Sequence, residues 1–225
     1  LRKGSLLSCK QHPVFQKGYL QEISAGSAVL LLTESSIDAA RLMQTVLLNL
    51  WREDKDALYI TTKKSVESLC FELDERFNVN SCIFDAGIPD EDTLVHVLEK
   101  IADLPAKSCV FLDSLTSLVP FAEQNFPLFY QRLNKSLRDF AEKKISCIFL
   151  LSASAFAKEH EVCFTDLFSH VWRLKQDSAE LKSKRILSIE SITQDASLSP
   201  RDELQLSAAL SSDGTIVLSH LRRIR

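Results

Sequence analysis

Six consecutive residues, Ala28-Val29-Leu30-Leu31-Leu32-Thr33, constrain the fold most. The run has the length of a strand, and it lacks the polar alternation of a strand with one wet face, so it fits a strand covered on both sides. Directly after it, Ala39, Leu42, Met43, Val46 and Leu50 repeat at helical spacing, predicting a helix over about residues 36–53. Residues 57–62, 81–84, 109–113 and 145–151 read as further strands. Helical spacing returns at 65–77 (Val66, Leu69, Leu73, Phe77) and after Pro89-Asp90, where Asp90 suits an N-cap and Leu94, Val97, Leu98 and Ile101 face inward. It returns again near 128–144 (Phe129, Leu133, Leu137, Phe140, Ala141), beyond a loop rich in Ser, Thr and Phe.

Strand–helix alternation of this kind requires right-handed crossovers and a parallel sheet between helical layers. The pattern changes in the last third. Residues 170–174, 185–192, 204–210 and 215–220 read as strands joined by turns, with Asp213-Gly214 as a hairpin signal. The expected architecture is an α/β three-layer fold with a mostly parallel central sheet and an antiparallel C-terminal β extension. Residues 1–17 read as an irregular lead-in and 18–225 as one domain, with a short helix or strand over Gly18–Ile23 and an exposed hairpin loop over Gln194–Asp202.

The chain has 225 residues, a length that fits a single large α/β domain. It begins at Leu1 rather than Met, as a fragment of something longer would. A net charge of −3 gives no general attraction to nucleic acid or anionic membrane. No apolar run reaches membrane-spanning length and no N-terminal segment has signal-peptide layout, so a cytoplasmic protein is expected. Cys9, Cys70, Cys82, Cys109, Cys147 and Cys163 form no C-x-x-C pair, and Cys82, Cys109 and Cys147 sit in apolar runs where a reduced thiol acts as a small hydrophobe. The histidines lack mutual ligand spacing, so no metal site is expected.

Several stretches resemble the RecA-like ATPase core, and within it the KaiC-like branch common in archaea. Gly26-Ser27 before the first apolar strand, and Ala57-Leu58-Tyr59-Ile60-Thr61-Thr62 followed by Ser65–Leu69, look like its first two strands. Val110-Phe111-Leu112-Asp113-Ser114-Leu115 is similar to its Walker B strand. Asp166-Leu167 through Val171-Trp172-Arg173-Leu174 looks like its sixth strand with its lead-in, and Leu221-Arg222-Arg223-Ile224-Arg225 resembles its closing Lys-x-Arg element.

The resemblance implies a phosphate loop, G-x-x-x-x-G-K-[ST], between the first strand and its helix. The corresponding residues are Glu34-Ser35-Ser36-Ile37-Asp38-Ala39-Ala40-Arg41, with no glycine and no lysine. Ser35 and Asp38 fit a capping box instead, and Glu34 and Asp38 put negative charge where a phosphate would sit. Arg41 could supply a cation, but it lies a turn into the helix. The family's catalytic glutamate pair corresponds to Lys63 and Lys64, and a protonated lysine cannot take a proton from water. Asp113 persists as the Walker B carboxylate. Without phosphate to share a metal, it is expected to be structural at the sheet edge, bonded to Ser114 and Thr116.

The expectation is therefore a RecA/KaiC-like domain without catalysis or cofactor, acting on protein partners in a homo- or hetero-oligomer with RecA-like subunits. Two alternatives remain. Arg223 and Arg225 match the family element that reaches a neighbour's nucleotide, and could act in trans, or they form a basic solvated tail. Phe121, Phe126, Phe129 and Tyr130 stand where recombinase relatives meet single-stranded DNA, with a second such loop at 155–164. The aromatic run lacks Lys or Arg until Arg132, which favours packing over stacking on bases.

Overall fold

The structure, a computed structural model, describes residues 25–34, 36–52, 56–62, 83–176, 184–191, 203–210 and 216–224. Strand β1 (Ala28–Thr33) lies between β5 (Ser146–Ser152) and β6 (His170–Gln176), parallel to both. Next to β5 comes β4 (Cys109–Asp113), then β2 (Ala57–Thr61) and β3 (Ile83–Asp85), again all parallel. Beyond β6 the sheet turns antiparallel through β7 (Lys184–Ser191), β8 (Glu203–Leu210) and β9 (Ile216–Ile224). The described strands thus form one sheet in the order β3-β2-β4-β5-β1-β6-β7-β8-β9.

The two-residue alternation of side chains divides the core into two layers. Leu30, Leu32, Leu58, Ile60, Val110, Leu112, Cys147, Phe149 and Leu151 share one buried cluster with the helices α2 (Thr93–Ala102) and α4 (Phe126–Glu142). The intervening residues Val29, Leu31, Tyr59, Phe111, Ile148 and Leu150 are also buried, on the opposite face. There α1 (Ser36–Arg52) crosses β1, β2, β4 and β5. Its expected inner residues Ala39, Leu42, Met43 and Val46 are buried, with Leu47 beside them. This helix also touches β9. Three strands separate β9 from β1, so the contact requires the antiparallel end of the sheet to curl over α1. A register shift at Leu206/Ser207 in the β8–β9 ladder assists the bend.

Gly26 leads into β1 and has no substitute. Its φ is +91°, and a Cβ there would sit 2.8 Å from the Ala141 carbonyl oxygen. Its N–H donates to Ser146 Oγ at 3.1 Å, fastening the strand start to β5.

Several boundaries differ from the expectations. The helix expected from Asp90 starts at Thr93. Asp90 forms a turn before it, with Oδ1 accepting from Thr93 Oγ1 (2.7 Å) and Asp92 N (3.1 Å). That bond to Thr93 holds the Asp90 carboxyl below its usual range. The Ser/Thr/Phe-rich stretch is not a loop. It forms a 3-10 turn (Leu115–Leu118) and the short helix α3 (Val119–Gln124). Its Pro120 occupies the first turn of α3, and Pro127 that of α4, where a missing N–H costs nothing. Asn125 separates the two helices and caps α4 by accepting from Leu128 N. Leu133, Leu137 and Phe140 are buried on α4 as expected, whereas Ala141 is exposed. The expected helix at 65–77, the Gln194–Asp202 loop and the Asp213-Gly214 turn lie outside the described residues.

Candidate functional site

The parallel strands end together. Thr33 of β1 pairs with Ser152 of β5, and Thr61 of β2 with Asp113 of β4. One strand, β5, separates β4 from β1, which places Asp113 about 10 Å from the β1–α1 junction. Asp113 shares its face with Tyr59 and Phe111 by strand alternation, the face that α1 covers. The fold therefore brings together the two elements that the sequence pairs as phosphate loop and Walker B strand.

The junction is short. β1 ends at Thr33 and α1 begins at Ser36, leaving Glu34 and Ser35 between them. A phosphate loop interposes six residues, G-x-x-x-x-G, whose backbone N–H groups curve around the phosphate. The two residues here are four fewer than that loop has. Glu34 is exposed, and Asp38 lies in the first turn of α1 and is 7% exposed. A carboxylate folded in beside a helix N-terminus complements the same N–H groups and dipole that would attract a phosphate. Arg41 is exposed one turn further on. Ser36 is the first helical residue. Ser35, and with it the expected capping box, lies outside the described residues, as do Lys63, Lys64 and Arg225.

Asp113 is 3% exposed and sits on an interior strand, not at the sheet edge. Its Oδ2 accepts from the Tyr59 hydroxyl at 3.0 Å. The expected partners are elsewhere. Ser114 Oγ is fully buried and meets no hydrogen-bond partner. Thr116 Oγ1 accepts from Ser152 N (2.8 Å) and contacts Ser152 Oγ (3.2 Å). Ser114 follows the last residue of β4, and its Oγ makes no hydrogen bond to the Asp113 carboxylate. Thr62 joins the strand ends. Its N–H donates to Asp113 O (2.8 Å), and its Oγ1 accepts from Ser114 N (2.9 Å) and lies 2.6 Å from Ser117 Oγ. The peptide bond between Asp113 and Ser114 is cis.

The aromatic run after β4 is largely internal. Phe126 and Phe129 are buried, while Phe121 and Tyr130 are half-buried. Phe156, Phe164 and Phe168, which spacing did not single out, complete an aromatic cluster with Phe126, Phe129 and Phe149. The 155–164 stretch is mostly helix α5 (Lys158–Thr165), held by Phe156 and Phe164 in the core. His160 stacks on Phe126 at 3.8 Å between ring centroids and contacts Glu123 at 2.9 Å. Arg223 lies within β9, opposite Leu204, rather than in a trailing tail. Among the described cysteines, Cys147 is buried, Cys109 half-buried and Cys163 exposed, all as free thiols. Burial raises the Cys147 thiol well above its ordinary value. No cluster of His, Cys, Asp or Glu suited to a metal occurs among the described residues, and none of their helices is long and apolar enough to cross a membrane.

The fold is that of KaiC-like proteins. The KaiC-like protein PH0186 from the hyperthermophilic archaeon Pyrococcus horikoshii OT3 superposes with a TM-score of 0.67 at 14% identity, over 90% of this chain and 95% of that one. The flagellar accessory protein FlaH from Methanocaldococcus jannaschii gives 0.63 at 15% identity, over 88% and 91%. Comparison of the sequence with curated proteins gives no match. A family of unknown function, DUF7125, matches residues 22–215, and the chain belongs to that family.

Proposed function

We propose that this chain is a pseudo-ATPase, a KaiC/RecA-like domain that neither hydrolyses nor binds ATP and acts as a regulatory or structural subunit through protein–protein contacts. The observation that carries this is the β1–α1 junction, where two residues stand in place of a six-residue phosphate loop. Buried Asp38 in the first turn of α1 adds negative charge at that helix start. The lysines at positions 63 and 64 cannot replace a catalytic carboxylate as general base at neutral pH. One structural neighbour, FlaH, is a flagellar accessory protein, which suits a supporting role within an assembly. Calorimetric titration with ATP and Mg²⁺ tests the proposal. No heat and no phosphate release are expected, and binding at about 1–10 μM or measurable turnover would sink it.

A second reading has one favouring observation. The backbone of Arg223 is paired in the β9 ladder opposite Leu204, as that of a solvated tail would not be. The domain would then complete an active partner's nucleotide site in trans. Mixing it with a catalytic RecA-like partner should raise that partner's turnover, and Arg223→Ala or Arg225→Ala should abolish the gain. An unchanged rate on mixing counts against it.

A further inference from the structure

Charge is sorted on the outer face that α2 and α4 form. From Asp85, the last residue of β3, to the start of α2, the chain exposes Asp85, Asp90, Glu91 and Asp92, and no Lys or Arg occurs between Ile83 and Val97. The neighbouring helix has the opposite bias. Arg132, Lys135 and Arg138 follow at three-residue steps and are all exposed, and no Asp or Glu occurs between Glu123 and Asp139. Such steps keep the three cations on one side of the helix. The two helices pack on each other, and a cavity lined by Glu91, Asp92, Leu128 and Arg132 marks where the acidic and basic groups meet.

The two groups lie side by side without satisfying each other. Among the described residues, no ion pair joins a carboxylate of the β3–α2 connection to a cation of α4. Apolar surface accompanies them. Ile88, within the acidic connection, is 93% exposed, and Leu128, at the border of the two groups, is 39% exposed. A partner that was simply acidic or simply basic would match one half of this face and be repelled by the other. A face with both halves adjacent matches a second copy of itself. We propose that this face is a two-fold interface between two copies of the chain. The axis runs along the border of the two groups, so that each β3–α2 connection lies over the partner's basic stripe on α4 and Leu128 meets its own counterpart.

Adjacency also sets the symmetry. Complementary patches side by side on one face close into a pair, whereas complementary patches on opposite sides of a molecule build rings or filaments. The assembly therefore stops at two. Screening weakens the charged part of the contact, while Ile88 and Leu128 contribute an apolar part that salt does not screen. The contact requires nothing of the β1–α1 junction, so ATP binding would sink the pseudo-ATPase proposal and leave this one standing.

Sedimentation velocity of the full chain over a concentration series, without nucleotide, tests it. The wild type should pass from monomer to dimer and no further, with a weaker dimer as salt rises. Glu91→Lys with Asp92→Lys cancels the acidic group, and Lys135→Glu with Arg138→Glu reverses the basic one, so each variant alone should dimerise roughly tenfold more weakly. Asp90 is left intact because it holds the start of α2. An equimolar mixture of the two variants should dimerise again, because the two altered groups then face each other and the two intact ones do the same. Leu128→Glu sets like charges against each other on the axis and should also weaken the dimer. Circular dichroism checks that each variant is folded. A wild type that stays monomeric up to ~100 μM or assembles beyond a dimer, a folded variant that dimerises like the wild type, or a mixture that does not recover overturns the proposal.

Discussion

Tyr59 and Ser114 are neighbours of the same carboxylate with opposite energetic roles. The Tyr59 hydroxyl bonds Asp113 in an interior where a charge finds little water. Tyr59→Phe should cost about 1–3 kcal/mol in chemical denaturation, because it strips a donor from a buried carboxylate. Ser114 Oγ is buried without a partner, so Ser114→Ala should be neutral or stabilising, within about 0.5 kcal/mol. The reverse order in these two variants would mean that Ser114 holds the carboxylate. His170 opens β6, beside Val29 and Ser191. Burial disfavours its imidazolium and lowers it below its ordinary 6.5. The unfolded chain therefore binds the proton more readily, so the contribution to stability is full above pH 6.5 and is lost as pH falls through the lowered folded value. His170→Gln should shrink the difference in denaturation midpoint between about pH 7.5 and about pH 5.5.

At the scale of elements, α5 is the least legible from sequence and the β1–α1 junction among the most. The sequence of α5 has little helical amphipathicity, and its fixed position comes from Phe156 and Phe164 entering an aromatic cluster built largely by α4 and β5. Phe164→Ala should cost about 3–5 kcal/mol by denaturation, while Val162→Ser, at a residue 57% exposed, should change stability by less than about 0.5 kcal/mol. Equal effects would mean that α5 is not anchored through its inner face. At the junction, the missing glycines were plain in the sequence. The short gap was legible too, from an apolar run ending at Thr33 and helical spacing starting near residue 36, and pairing with β5 and β6 fixes where β1 stops.

At the scale of the molecule, a fold shared with KaiC-like proteins carries no glycine and no lysine over residues 34–41, and the proposed pseudo-ATPase reading rests on that. ATP with Mg²⁺ should leave the melting temperature unchanged, since a ligand stabilises only what it binds. A rise of several degrees at millimolar ATP would show a competent site. The central architecture was legible because it rests on local patterns. Continuous apolar runs mark strands covered on both faces, as in β1 and β5, and the 3.6-residue repeat of α1 marks its buried face. The absence of glycine and lysine after β1 is likewise a property of the chain alone. Tertiary structure decided what depends on distant partners. Tyr59 rather than Ser114 meets Asp113 because neighbouring strands set which side chains face each other across 54 positions of sequence. Phe126 became core because Phe156 and His160 close over it. Arg223 became part of a strand because β8 lies beside it. Periodicity records which side of an element is buried, and only the assembled sheet determines what buries it.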